Sequence, residues 1–514
     1  MDAESLTRSV RDFLAESPDA AVIENGVTLF DLSTSRYSIS SERGKCLLHF
    51  WSTERNIVRR VVDTESKRDV LRLSVIRLGQ ARPVKLDICR GCDRRSPSAK
   101  KSARSVYQAR LERALARRFP DFKLLHFSTT MDLERSFGPI YTRGLLRKGQ
   151  TAFAVLGVNE QETQASIDGS LTCGMLWLDV CRQTCSSRMV VEGLKLFVPA
   201  GHSSLVRERI ALLDHNAAKW QLHQFDERED SIVEVDCSDR GNIATHLVHC
   251  PDESATKERF RQSITRISQL IPEAEVAVLS SAEIAFRLFG LEFARARIAH
   301  DPDSYRSTTE IVFGPGREEH ILTDTNSTAF LNLIQQVAQV RHSTGPRDHP
   351  LFRLHPERWL ESLVIHDVTA LDERLDASCV YSQVPAFSAA DRAMIDVLTT
   401  TLQGRLAVLE LKADEDLHLP LQGLDYWSRV QWHHARGEFH HFGYFPGREL
   451  SPERPLLFFV APALHVHPST DTLLHYLSPA IDWTLVGIDE RWREGVRPVF
   501  FKRPESLHAC ASGR

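Results

Sequence analysis

No stretch of the 514 residues approaches the ~20 consecutive apolar residues that a membrane-spanning helix requires, so no membrane partner is expected. The opening MDAESLTRSVRDFL carries acids and no continuous apolar core, unlike a secretory signal, and a cytoplasmic location is the expectation. No Gly-x-Ser-x-Gly elbow, Walker phosphate loop or paired-His zinc motif stands out. Gly314-Pro315-Gly316 lacks the lysine of a phosphate loop and reads as a turn. Cysteine is sparse: ten are scattered along the chain, most within apolar strands or helices, which fits reduced thiols rather than a disulfide framework. Cys89-x-x-Cys92 and Cys181-x-x-x-Cys185 make a poor zinc site, because the second pair reads as helical where a knuckle needs two tight turns. His433, His434, His440 and His441 read as a helix end and loop, and His465-x-His467 as a strand end, rather than as metal ligands.

The net charge of −4 is unevenly spread. Arg90 to Arg118 holds ten Lys or Arg against Asp93 and Glu112, a net +8, so the rest of the chain carries −12. This segment begins as a Ser/Pro-containing loop and becomes a helix with Tyr107, Leu111, Ala114 and Leu115 on one stripe and arginines around the rest. Two readings stay open: a phosphate-binding surface built from Lys100, Lys101, Arg104, Arg110, Arg117 and Arg118, joined by Arg429 further on, or an arm that contacts the protein's own acids.

Hydrophobic patterning divides the chain. Residues 1–90 read as a small β-rich domain, with VTLFDL, KCLLHFW, NIVRRVV, DVLRLSVIRL and VKLDIC as an antiparallel sheet or barrel. Residues 91–118 read as a basic loop-and-helix linker, and 119–340 as a mixed α/β region. The turn-rich Arg341–Pro350 marks a boundary before a last domain over 351–503. The fold class is therefore multidomain α/β. Within it, Ala154-Val155-Leu156-Gly157-Val158-Asn159 and the helix after it echo Ala407-Val408-Leu409-Glu410-Leu411-Lys412 and its helix. If the echo is a repeat, Gly157 and Asn159 have removed the chemistry from it.

The last domain holds the most informative stretch, IDVLTTTLQGRLAVLELKADEDLHLPLQGLDY, Ile395–Tyr426. It reads as a strand bearing Asp396, a Gly turn, a buried strand ending Glu410-Leu411-Lys412, and a helix. Alternation along a strand puts Glu410 and Lys412 on one face. A three-residue loop, Leu402-Gln403-Gly404, with glycine in the left-handed position, sets Asp396 opposite Glu410 with β-carbons roughly 5 Å apart. A two-residue loop would turn the aspartate away. Two carboxylates that close need a cation between them, and Mg²⁺ suits oxygen ligands beside phosphate. Lys412 would then steady the charge that develops on an attacked phosphate.

These residues resemble the PD-(D/E)XK, or restriction-endonuclease-like, nuclease superfamily, and Gln422 with Tyr426 resembles the Gln-x-x-x-Tyr motif of its RecB-type branch. The resemblance implies an αβββαβ core: a helix over about Pro356–Leu375, a strand near Val380–Phe387, the hairpin, a helix over about Pro420–Ala435 and a strand at Leu456–Val460. It implies metal ligation by Asp396, Glu410 and Glu361 with the Leu411 carbonyl assisting, Lys412 as the catalytic lysine, and Gln422 and Tyr426 as supporting residues. Ile395 stands where the motif has its proline. Expected from this are a Mg²⁺ or Mn²⁺ cofactor, a nucleic-acid partner that is DNA, and phosphodiester hydrolysis. The alternatives are a catalytically silent nuclease fold that binds or scaffolds nucleic acid, and a defence or restriction effector that needs a protein partner.

Overall fold

The structure, a computed structural model, describes residues 3–504 apart from 16, 18–19, 25–26, 33–34, 43–44, 52–55, 68–69, 78–82, 91–96, 133–136, 187, 239–244, 301–306, 316–318 and 389–393. It is a mixed α/β chain with several sheets, in two compact units. Each unit is built from two separate stretches: Met1–Ser96 with Pro251–Leu354, and Pro97–Cys250 with His355–Arg514. The 119–340 region drawn from the sequence is thus divided at Pro251. The boundary expected at Arg341–Pro350 lies inside the first unit. Arg341 is fully buried there, donating to the carbonyls of Phe289 at 2.9 Å and of Leu351, Phe352 and Leu354 at 3.1, 3.0 and 2.8 Å. Local composition cannot reveal a polar turn that is fastened by one buried guanidinium.

The first unit contains a seven-stranded antiparallel sheet between Ala21 and Cys89, with Leu6, Val10, Phe13 and Leu14 of helix Ala3–Ala15 in the same core. It also contains a five-stranded antiparallel sheet from Glu275 to Ile321, with helices Arg261–Leu270 and Ser327–Val340.

The second unit opens with the basic helix, α1 (Pro97–Arg118), which is part of the fold and not a linker. Its expected apolar stripe, Tyr107, Leu111, Ala114 and Leu115, is buried with Val155, Phe197 and Phe225. Strands β1 (Lys123–Ser128), β2 (Tyr141–Lys148) and β3 (Thr151–Val158), helix α2 (Ser170–Thr184), strand β4 (Val190–Pro199), helix α3 (Ser204–Ile210) and strands β5 (Lys219–Asp226) and β6 (Ser231–Val235) follow. After β7 (Thr245–Leu247), the chain returns as α4 (Pro356–His366), β8 (Tyr381–Ser388), β9 (Met394–Thr400), β10 (Leu406–Leu411), α5 (Leu419–His434), β11 (Leu456–Pro462), α6 (Thr470–His475), β12 (Trp483–Ile488) and β13 (Pro498–Lys502).

The sheets run β6-β5-β4-β3-β2-β1 and β7-β8-β9-β10-β11-β12-β13. In each, an antiparallel hairpin (β2/β3, β9/β10) feeds a helix that crosses to a parallel strand, then a second crossover and a final antiparallel edge. Every residue of β10 is buried, as expected of a central strand in a covered sheet. Each fully buried Leu or Val there contributes about 1.5–3 kcal/mol. Helix α4 is shorter than expected: it stops at His366, where Asp367 accepts the Ala370 N–H at 3.2 Å and caps a 3-10 turn.

The β9/β10 hairpin has the three-residue loop. Pairing runs Val397↔Leu409, Leu398↔Val408, Thr400↔Leu406, and Gly404 closes the turn at φ +82° with its N–H on the Thr401 carbonyl at 2.8 Å. A β-carbon at Gly404 would also lie 2.2 Å from the Glu449 carbonyl oxygen. Gly404→Ala is expected to destabilise the fold by more than about 1 kcal/mol, read as a lower Tm. An unchanged Tm would mean that this turn does not hold the hairpin register.

Candidate active site

The hairpin register brings Asp396 beside Glu410 at the end of the ladder, on the face that Leu398, Leu406 and Val408 share with Leu421 and Leu424 of α5. The Asp396 Oδ2 accepts the Leu411 N–H at 3.0 Å. Glu410 is 1% exposed, and its Oε1 lies 3.3 Å from the Lys412 Nζ. Its Oε2 is buried and without a hydrogen-bond partner. Burial, followed by the neighbouring Asp396 charge, pushes the Glu410 carboxyl well above the usual range. Burial also raises Asp396, against the Leu411 N–H and the Lys412, Arg358 and Glu410 side chains, which favour its ionised form.

Lys412 stands at the centre of an acidic cluster. Besides Glu410, Glu357 Oε1 lies at 3.6 Å and Asp416 Oδ2 at 3.9 Å from its Nζ. Burial works against the ammonium, but Glu410, Glu357, Asp396 and Asp416 outweigh it and raise its pKa, so Lys412 is charged at neutral pH. Tyr426 lies on the α5 side of the cluster; burial and then the charges of Glu410 and Asp396 raise its hydroxyl. Gln422, one helical turn earlier, has its Oε1 buried without a hydrogen-bond partner.

Glu361 is placed differently from the expectation. Its Oε2 accepts from Arg358 at 2.9 Å and from the Gln383 amide at 2.7 Å, and that amide lies 3.5 Å from Asp396 Oδ1. Glu361 thus reaches Asp396 through Gln383 instead of standing with Asp396 and Glu410 as a third ligand, and no group of three His, Cys, Asp or Glu among the described residues is arranged to hold a metal ion. Sequence reasoning missed Glu357, Arg358 and Gln383. The first two had a signal: at one and two positions into α4 they share its first turn, ahead of Glu361. Gln383 had none. It adopts φ +51° within β8, between the pairs Ser382↔Val397 and Val384↔Ile395, and this uncommon conformation aims its amide at the two acids.

The proposed phosphate-binding residues of α1 are engaged with the protein itself. Arg104 grips Glu162 at 2.7 and 3.1 Å, Arg110 donates to the Glu227 carbonyl, Arg117 donates to the Asp230 carbonyl at 2.8 Å, and Arg118 lies over the Phe119 ring. The reading of an arm held against the chain's own acids describes these contacts. Lys101 is exposed, and the side chain of Lys100 lies outside the described residues. Arg429 is 4% exposed in α5, a core position and not a surface one. Cys92, half of the zinc pair set aside above, and Gly316 of the Gly-Pro-Gly turn also lie outside the described residues. No described helix is long and apolar enough to cross a membrane.

Two buried carboxylates held together with one unpartnered oxygen have two ways to be stable: a proton on one acid, or a cation at both. Mg²⁺ is commonly held by one or two carboxylates while keeping several of its waters, so the pair fits such an ion without a third protein ligand.

No protein-family model and no curated protein matches the chain. Among solved structures it is similar to a repair endonuclease from Pyrococcus abyssi, at 10% identity and a TM-score of 0.15, over 39% of this chain and 89% of that one. An overlap that low carries no weight for either fold or activity.

Proposed function

We propose that the protein is a divalent-metal-dependent nuclease of the PD-(D/E)XK kind that hydrolyses phosphodiester bonds in DNA. The run from α4 to β11 has the αβββαβ order of that core. The observation that carries the reading is the buried Asp396–Glu410 pair, with an unpartnered Glu410 oxygen and the Lys412 ammonium 3.3 Å from its other oxygen.

Asp396 and Glu410 would hold Mg²⁺ or Mn²⁺, with the Leu411 carbonyl assisting. When bound, the ion supplies Lewis-acid polarisation of the phosphate and a more acidic water. Lys412 orients the attacking water and stabilises negative charge as it develops on the phosphate oxygens. Gln383 and Glu361 hold Asp396 in place, and Gln422 and Tyr426 line the α5 side.

The purified chain is expected to cut DNA with Mg²⁺ or Mn²⁺ and to lose cutting with a chelator or with Asp396→Asn. Losing one of two ligating carboxylates is expected to reduce the rate by at least about 10³-fold, more than a single oxyanion donor supplies. Equal cutting by the wild type and Asp396→Asn removes the reading. DNA binding without cutting under every metal condition favours the silent nuclease fold instead.

A further inference from the structure

We infer that the second unit is an internal duplication whose first lobe, α1 to β6, is a silenced copy of the second, α4 to β13, so that the chain breaks one strand of a duplex at each encounter. The cutting rests on the function proposed above. The duplication stands on its own observations.

Shared connectivity is the first of these. Gly174 in α2 and Gly423 in α5 give the register. A β-carbon on the first would meet Leu194 at 2.7 Å, and on the second Phe459 at 2.5 Å and Leu457 at 3.4 Å. Aligning these glycines matches buried Leu171, Met175 and Leu178 with buried Pro420, Leu424 and Trp427. The strands that follow both end on proline, Pro199 and Pro462. The next strands carry Trp220-x-Leu222 and Trp483-x-Leu485, and each runs into Asp-Glu-Arg, at Asp226–Arg228 and Asp489–Arg491. Asp226 and Asp489 make the same turn, each accepting the N–H of that arginine at 2.7 Å.

Leu213, three residues beyond α3, forms an antiparallel bridge with Leu477, two residues beyond α6 and next to Tyr476, the counterpart of Leu213. Reciprocal bonds flank it: Asp214 N–H to the Tyr476 carbonyl at 2.8 Å, and Ser478 N–H to the Leu212 carbonyl at 2.9 Å. Antiparallel, reciprocal pairing between corresponding segments of the two lobes is the arrangement a two-fold axis produces. The helices agree, since α2 packs on α6 and α5 on α3. Arg209 of α3 holds Asp425 of α5 through two bonds of 2.9 and 2.7 Å.

In this register the functional positions do not correspond. Leu194 pairs with Ala154, and Leu457 with Val408, so Glu410 falls on Leu156, Lys412 on Val158, Asp396 on Arg143 and Tyr426 on Trp177. The echo read from the sequence was one residue out: Gly157 faces α1, where the Tyr107 hydroxyl would lie 2.6 Å from a β-carbon. Arg143 is buried, donates to the Gly138 and Thr130 carbonyls at 2.9 and 2.6 Å, and lies over the Phe137 ring. A guanidinium and two aliphatic side chains cannot hold a divalent cation. The backbones of a duplex are themselves related by two-fold axes, so lobes arranged this way meet the two strands equivalently. Acids in one lobe then leave one strand intact.

The test uses the full chain in two measurements. Calorimetric titration with Mn²⁺ is expected to show one class of binding that Asp396→Asn with Glu410→Gln abolishes; these near-isosteric changes keep the fold, checked by the melting curve. With supercoiled plasmid in excess and Mn²⁺ present, open circles are expected to accumulate before linear molecules form. Stoichiometric Mn²⁺ binding retained by the doubly substituted chain, or linear plasmid forming as fast as open circles, overturns the inference. One class of Mn²⁺ binding with no cutting of any DNA upholds the single-site count and rejects the nuclease reading.

Discussion

Lys412→Ala is expected to slow DNA cleavage by about 10²–10³-fold, the usual loss when one preorganised charge donor is removed from a transition state. Mn²⁺ binding through Asp396 and Glu410 should persist, which separates a chemical role for Lys412 from a role in assembling the site. The ammonium is positioned by Glu410, Glu357 and Asp416 at 3.3 to 3.9 Å, and their charges keep its pKa raised. Lys412 therefore stays protonated throughout the neutral range and produces no alkaline loss of activity there. The acid limb has another source: Glu410 and Asp396 both have raised pKa values and must give up their protons before they bind metal. Cleavage is expected to fall as pH decreases, and more Mn²⁺ should move that limb to lower pH. A Lys412→Ala chain that cuts at the wild-type rate with unchanged metal affinity excludes Lys412 from the chemistry.

Much of this site was legible in the sequence because its parts are local. Alternation placed Glu410 and Lys412 together, and a glycine that tolerates φ +82° fixed the loop length that brings Asp396 across from Glu410. What escaped depends on partners distant in sequence or on departures from regular backbone. The left-handed Gln383 ties Glu361 to Asp396 through its amide, and nothing in YSQVPAF announces that conformation. Arg429 reads as a surface cation until the helix packs and buries it. The arginines of α1 look like a phosphate-binding stripe, but Glu162, Glu227 and Asp230, which engage them, lie over fifty residues further on. The repeat was glimpsed through its apolar strands, which match in any register. The more discriminating signal lay in the Trp-x-Leu and Asp-Glu-Arg recurrence at strands β5 and β12.

Glu410→Gln is expected to abolish cleavage and, without metal, to raise the stability of the protein at pH 8. In the folded state the Glu410 carboxyl is pushed well above its ordinary value of 4.5, by burial and then by Asp396. A group raised in this way contributes its full stability below the unfolded pKa and loses that contribution as pH rises through the folded one. The metal-free wild type should therefore weaken from mildly acidic to alkaline pH. Lys412 does not offset this decline, because its own raised pKa keeps its contribution constant below about 10.5. Glutamine keeps the shape of the protonated acid at every pH, and Glu357 and Asp416 remain within 3.6 and 3.9 Å of the ammonium. Relief of an unsatisfied buried group is worth about 1–3 kcal/mol, read as a higher Tm. Divalent metal should reverse the order, since only the wild type gains about 2.7 kcal/mol at one hundred times its dissociation constant. Melting curves at pH 5 and pH 8, with and without Mn²⁺, test both halves. A variant less stable than the wild type at pH 8 in chelator means that the acid is already compensated, and the strain assigned to the carboxylate pair is then absent.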